Sequence, residues 1–255
     1  MKLGLKLWST NTDYYFDEAK RLYEEGWFDY IELYVVPKSL NTLDKWKTLN
    51  IPFVLHAPHF TNGFNLAKRE YEKTNFSIYQ EVKQFADKLA VDYIVFHGGI
   101  DGEIEETARQ LKNFNEPRAL IENKPYKALP NKMKGEFCRG GTLQEIEFVM
   151  KETGCGFCLD VGHCFCSANS QNIDVWNYLK KFQILNPASY HFSDNFIDAT
   201  DDKHLHLGQR NYDFKRILDI INLEKNVAVE TNKISKIDLD DFIEDVKWLR
   251  HLKFD

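Results

Sequence analysis

Eight short apolar runs, each followed by a longer amphipathic stretch, set the tightest limit on what this chain can fold into. The runs are LGLKLW, YIELYVV, PFVLHA, DYIVFH, ALIEN, FCLDV, SYHFSD and VAVET. They are rich in β-branched, aromatic and leucine residues, as strands covered on both faces are. Helical periodicity predicts helices over 17–25, 42–49, 68–89, 103–113, 142–151, 175–182, 212–221 and 238–252. Eight strand–helix units in strict alternation predict a closed parallel (β/α)8 barrel, the TIM barrel of the α/β class. An open doubly wound sheet would want a glycine-rich turn after an early strand, and the sequence has none. Residues 1–255 are read as a single domain, a length at which one barrel is usual.

The irregular segments 59–65, 124–141 and 195–202 all follow strands. That places them at the end of the barrel where active sites form. The longest, KPYKALPNKMKGEFCRGG, is expected to be a lid or a substrate wall.

The ionisable residues concentrate at the same end. His56, His97, Glu122 and Asp160 end strands three to six, with His163 three residues beyond Asp160. His191 lies in strand seven, Asp202 and His204 in the loop after it, and Glu230 ends strand eight. One histidine there would be read as a core residue satisfied by a carbonyl. Five imidazoles and four carboxylates in one cavity repel or stay unsatisfied unless cations hold them. The donor mixture suits Zn²⁺, with Mn²⁺ or Fe²⁺ possible, rather than the oxygen-seeking Ca²⁺ or Mg²⁺. His59 and Phe60 in the loop after strand three, Lys6, Glu32, Lys124, Asp194 and Arg210 are candidate substrate contacts. His206 is read as structural and His251, in the last helix, as a surface residue.

Composition excludes little else. The net charge of −6 gives no sign of the basic face usual in nucleic-acid binders, although bound cations add charge that the count omits. No segment approaches the roughly 18 apolar residues of a membrane span, and the N-terminal MKLGLKLWSTN reads as a strand rather than a signal peptide. Five cysteines without scaffold spacing point to reduced thiols in a cytoplasmic protein. The Cys155–Cys158 pair leads into a strand, not a helix, and is read as apolar filling rather than a redox motif. The chain is expected to be a monomer without membrane partners.

The ordered set VLHAP, VFHGG, LIEN, CLDVGH, YHFSD, DKHLHLG and AVET resembles the xylose isomerase-like barrels, and within them most closely the endonuclease IV branch, the apurinic/apyrimidinic endonucleases of DNA repair. The likeness runs over essentially the whole chain. It implies a zinc-dependent hydrolase whose three ions are held by His56, His97, Glu122, Asp160, His163, His191, Asp202, His204 and Glu230. It also implies that Glu122 bridges two ions, that Glu230 orients the attacking water, and that the substrate is a phosphodiester such as abasic-site DNA. Where that branch has a tyrosine three residues after the first histidine, this chain has His59. Where an arginine is expected after strand two, it has VVPKSLN. Glu32 in YIELY and Lys124 in ENKPY look more like the sugar isomerases. The alternative is therefore a sugar or sugar-phosphate isomerase or epimerase with one divalent ion on Glu122, Asp160, His191 and Glu230. In that reading Glu122 and Glu230 are the acid/base pair. It leaves His56, His97, Asp202 and His204 without a role.

Overall fold

A computed structural model describes residues 1–129 and 135–252. Eight strands are present: β1 (Lys2–Trp8), β2 (Tyr30–Tyr34), β3 (Phe53–His56), β4 (Ile94–His97), β5 (Ala119–Glu122), β6 (Gly156–Asp160), β7 (Ser189–Phe192) and β8 (Asn226–Val229). They pair in sequence order, and β1 closes on β8, so the barrel is complete and single. All pairs are parallel. The expected TIM barrel is the observed fold.

The helices around it are α1 (Phe16–Glu24), α2 (Leu43–Lys47), α3 (Glu72–Leu89), α4 (Ile104–Phe114), α5 (Leu143–Thr153), α6 (Val161–Ser170), α7 (Val175–Ile184), α8 (Phe214–Ile220) and α9 (Asp240–Leu252). Each long one presents an apolar stripe to the sheet. In α3 the stripe is Ile78, Tyr79, Val82, Phe85 and Ala86, all buried. Burying one such aromatic or branched side chain stabilises the fold by about 1.5–3 kcal/mol. Side chains cap the starts of the later helices: Thr142 caps α5 through Glu145 N, and Asp174 caps α7 through Asn177 N. Helix α6 was not expected from the sequence. Its residues Val161–Ala168 are buried all round, so no polar face gives it a period.

Strand parity decides what lies inside the barrel, because alternate residues face opposite sides. One set, Ile31, Leu33, Leu55, Phe96, Ile121 and Leu159, joins the large core between sheet and helices. The other set fills the barrel: Tyr30, Val54, Tyr93, Val95, Leu120 and Cys158. Gly4 belongs to this layer and makes room for a ring, since a Cβ there would lie 2.3 Å from Cζ of Tyr30. Two residues further along each strand comes the next inward position. Those positions are Lys6, Glu32, His56, His97, Glu122, Asp160, His191 and Glu230. Each inward row thus reaches an ionisable side chain at this level, with Trp8 and Tyr34 beyond it on β1 and β2, which is why the mouth is charged and the interior is not.

Candidate metal centre

Register sets neighbours at this mouth. Lys6 lies beside Glu32, His97 beside Glu122, and Asp160 beside His191. Three residues arrive from beyond the strands, His163, Asp202 and His204. Asp160 Oδ1 accepts the His163 backbone N–H at 2.7 Å as the N-cap of α6, so the D-x-x-H spacing is a helix start that turns both side chains inward. His204 sits at φ +48°, an uncommon backbone for a residue with a side chain. It is held there by Asp202, whose Oδ1 accepts its N–H at 3.1 Å, and by Asn232 N donating to its carbonyl.

The nine expected ligands come together. Glu122 is central: its Oε2 lies 3.0 Å from His56 Nε2 and 2.8 Å from His97 Nε2, and its Oε1 lies 2.9 Å from His163 Nδ1. Asp202 Oδ2 lies 3.2 Å from His163 Nε2 and 3.1 Å from His204 Nε2. Glu230 Oε2 lies 3.0 Å from His191 Nδ1. Three triads emerge, His56–His97–Glu122, Asp160–His191–Glu230 and His163–Asp202–His204, each with donor atoms within 4.8 Å of one another. Two further groups overlap them, Glu122–Asp160–His163 and Glu32–His56–His191.

Donor chemistry shows that these residues fit cations. His56 Nδ1 bonds the Ala57 carbonyl at 2.7 Å and His204 Nδ1 the Glu230 carbonyl at 2.9 Å. A carbonyl only accepts, so those nitrogens carry the hydrogens of neutral rings. The opposite nitrogens then turn lone pairs toward carboxylate oxygens, an arrangement that a cation or an extra proton must relieve. Glu122 Oε1, His191 Nδ1, Asp202 Oδ2 and His97 Nδ1 are buried without a hydrogen-bond partner. Such groups cost free energy unless something outside the chain answers them.

The electrostatics agree. Burial alone would raise the Glu122 carboxyl, but His97 and Lys124 hold it well below the usual carboxylate range. Burial drives His97 well below the ordinary imidazole value. Burial also opposes charge on His163, yet Asp160, Asp202 and Glu122 outweigh it and lift the ring to about 10. The sites compete for protons because the chain itself supplies too few counter-charges.

The other expected site residues divide. Lys124 enters the cluster, with Nζ 3.2 Å from His163 Nε2 and 3.6 Å from Glu122 Oε1. His59 stacks on His97 with ring centroids 5.8 Å apart, and Phe60 adjoins His59 at 5.2 Å, so both line the approach. Lys6 and Glu32 lie beneath the ligands, Glu32 with no exposed surface. Asp194 and Arg210 are not brought to the cluster. Asp194 follows Phe192 at outward parity and accepts the backbone N–H groups of Asn195, Arg210 and Tyr212. The Arg210 guanidinium lies 5.0 Å from the Phe196 ring. His206 pairs with Asp245, and His251 is exposed.

Asn123 went unnoticed in the sequence although LIEN contains it. Its amide exchanges bonds of 2.8 Å with both the N–H and the carbonyl of Asp160, and its carbonyl takes His163 Nδ1 at 3.0 Å. It locks β5 to β6 at the point where ligands from both meet.

The expected lid is tied down where it is described. Lys127 pairs with Phe137, and Ile100 with Cys138, in antiparallel bridges. Arg139 N donates to the Gly99 carbonyl at 2.9 Å. Gly98 permits this approach, since a Cβ there would lie 2.4 Å from the Arg139 carbonyl oxygen. The tip, 130–134, lies outside the described residues. Cys155 and Cys158 are free thiols, and burial pushes Cys158 up to about 12, which makes it unreactive. No described helix is long and apolar enough to cross a membrane.

Known proteins share this arrangement of strands and helices. The sequence model of the xylose isomerase-like TIM barrel family matches residues 20–252. A probable endonuclease 4 from Sulfurihydrogenibium sp. (strain YO3AOP1) is 27% identical over 178 residues, 62% of each chain, so the match spans less than two thirds of that relative's length. The crystal structure of a D-tagatose 3-epimerase-like protein superposes with a TM-score of 0.75 at 19% identity, covering 100% of this chain and 97% of that one. Endonuclease IV from Thermus thermophilus superposes with a TM-score of 0.72 at 17% identity, covering 100% and 99%. Identities this low speak for the barrel and not for the reaction.

Proposed function

The chain belongs to the xylose isomerase-like TIM barrel family, and from that premise we propose that its mouth is a multinuclear metal centre, most naturally a trinuclear zinc site, that hydrolyses a phosphodiester. The observation that carries this reading is that all nine residues fall into overlapping donor groups of three, more than one ion would need. One ion on Glu122, Asp160, His191 and Glu230 would leave His56, His97, Asp202 and His204 converging on nothing. Ions held here would supply Lewis-acid charge to phosphoryl oxygens and make a water acidic near neutral pH.

The chain's own groups set the rest. Glu122 presents one oxygen to His56 and His97 and the other to His163, so it links the triads. Glu230 orients the attacking water. Lys124 Nζ, buried at the His97–His163 edge, holds an anionic oxygen of the substrate. His59 and Phe60 make the rim against which the group beside the diester rests. Abasic-site DNA is the candidate substrate, in keeping with the likeness to endonuclease 4.

The lysines favour a second reading. Lys6 lies 2.7 Å from Glu230, and Lys124 lies 3.6 Å from Glu122, so two of the carboxylates already face ammonium groups. Fewer ions are then needed, and a single-ion sugar or sugar-phosphate isomerase or epimerase becomes the competitor. Elemental analysis of protein purified without added metal separates the two, paired with assays on an abasic duplex and a panel of ketoses. Two to three equivalents of transition metal, mostly zinc, with nicking of the duplex is the expected result. One reproducible equivalent with full activity on a ketose would overturn the hydrolase and establish the isomerase.

A further inference from the structure

Glu32 sits in β2, fully buried beneath the mouth, with Lys6 as its register partner. Oε2 is hydrogen-bonded to His191 Nε2, while Oε1 is held by ion-pair contacts alone. Oε2 lies 3.0 Å and Oε1 2.9 Å from His191 Nε2, and Oε1 is also 3.2 Å from Lys6 Nζ. The opposite edge of the same imidazole faces upward, with Nδ1 3.0 Å from Glu230 Oε2, 3.8 Å from Glu122 Oε2 and 3.9 Å from Asp160 Oδ2. Lys6 reaches past Glu32 to Glu230 Oε2 at 2.7 Å.

His191 therefore differs from the other ligands. His56, His163 and His204 each turn Nδ1 to a backbone carbonyl, of Ala57, Asn123 and Glu230 respectively. Their tautomers are set by the main chain, and Nε2 faces a mouth carboxylate, while His163 Nδ1 also lies 2.9 Å from Glu122 Oε1. His191 has the reverse orientation, and a carboxylate takes the carbonyl's place. A carboxylate only accepts, so it fixes the hydrogen on Nε2 and leaves the Nδ1 lone pair pointing at the three mouth carboxylates.

We propose that Glu32 is a positioning residue and not a substrate contact: it fixes the ring plane and tautomer of His191, and Lys6 ties it to Glu230, so that the cation at the Asp160–His191–Glu230 corner depends on a side chain it does not touch. This rests on the reading of the mouth as a metal centre. Glu32 has no surface to offer a sugar or a diester. Its burial is explained by His191 and Lys6 together, two donors for one carboxylate. Deleting a carboxylate that orients a ligating histidine typically weakens the metal about 10–100-fold.

The test is a Co²⁺ titration of the metal-stripped full-length protein without substrate, read by visible absorption and chelator competition. Glu32→Ala is expected to weaken one equivalent about 10–100-fold and to change the spectrum of that equivalent alone. Glu32→Gln keeps an oxygen for Nε2–H in the same volume and is expected to lose less affinity; it decides the matter if the alanine variant does not fold. Wild-type affinity and spectrum in both variants, with only a raised KM, would overturn the proposal and return Glu32 to the substrate. A wild-type protein that binds no Co²⁺ would instead overturn the metal centre on which the proposal stands.

Discussion

Two regions of this barrel join buried histidine to buried carboxylate, and they do so in opposite ways. Under the loops after β7 and β8, Asp245 of α9 accepts from His206 Nδ1 at 2.9 Å, Leu207 N at 2.8 Å and Thr231 Oγ1 at 2.7 Å. The chain supplies all the donors that carboxylate needs. At the mouth, Glu122 and Asp202 each retain a buried oxygen without a hydrogen-bond partner. The same residue types therefore brace a loop in one place and, in the proposed metal centre, would hold a cation in the other. What separates them is whether the carboxylate's own oxygens find donors within the chain.

The largest expected effect tests the mouth. His97→Ala removes one of three donors from its triad, and with it a ring whose Nδ1 had no partner to lose. Metal content is expected to fall by at least one equivalent and phosphodiester cleavage by more than about 100-fold, and the metal-free protein is expected to melt somewhat lower, since the buried ring also meets Glu122 Oε2 at 2.8 Å. Retention of all metal would mean the triad is no cation site, and the comparison would lose one side.

Next comes the brace. Asp245→Ala strands three donors at once, a loss of about 3 kcal/mol, or on the order of 10 °C for a domain of this size. The folded fraction is expected to keep its full metal content. A variant that melts normally but loses metal would show that the brace belongs to the site.

Chelation is expected to be milder. Stripping the cations leaves like charges together, costing about 1–2 kcal/mol, or several degrees. Asp245→Ala and chelation should add, since distant sites without shared partners do so within about 0.5 kcal/mol. An unchanged melting curve after confirmed metal removal would count against a filled site in the native protein.

These contrasts also mark what the sequence could reveal. The strands were legible because burial on both faces leaves long apolar runs, and the nine candidate ligands because each lies in, ends or follows such a run at the same end of the barrel. Helix α6 was hidden by the same burial, which erased its polar face. Asp194 looked like a site residue because it trails β7, but its parity turns it outward, where backbone N–H groups take it. The Glu32–His191 contact joins positions 159 residues apart and exists only once the barrel closes. No local pattern could announce it, whereas Asn123 was within reach as the residue completing LIEN.

The smallest effect concerns pH, and it sharpens the difference between a filled and an empty mouth. In the metal-free protein burial opposes the charged form of His163, but Asp160, Asp202 and Glu122 lift it from 6.5 to about 10. His191 is raised as well, against burial, by Cys158, Glu32 and Glu230. A group raised by folding lends stability that is complete below its unfolded pKa and is lost as pH climbs through the folded value. The metal-free protein should therefore lose a few degrees of melting temperature between about pH 6.5 and about pH 9. Cations reverse the sign, because they bind the deprotonated rings and displace those protons. The loaded protein should hold its melting temperature over the same interval, and the gap between loaded and stripped samples should widen as pH rises. Parallel melts of both forms at several pH values test this. A stripped protein whose melting temperature stays flat would mean that the carboxylates do not hold protons on these rings, and the imbalance argued for the mouth would have to be met by some other donor.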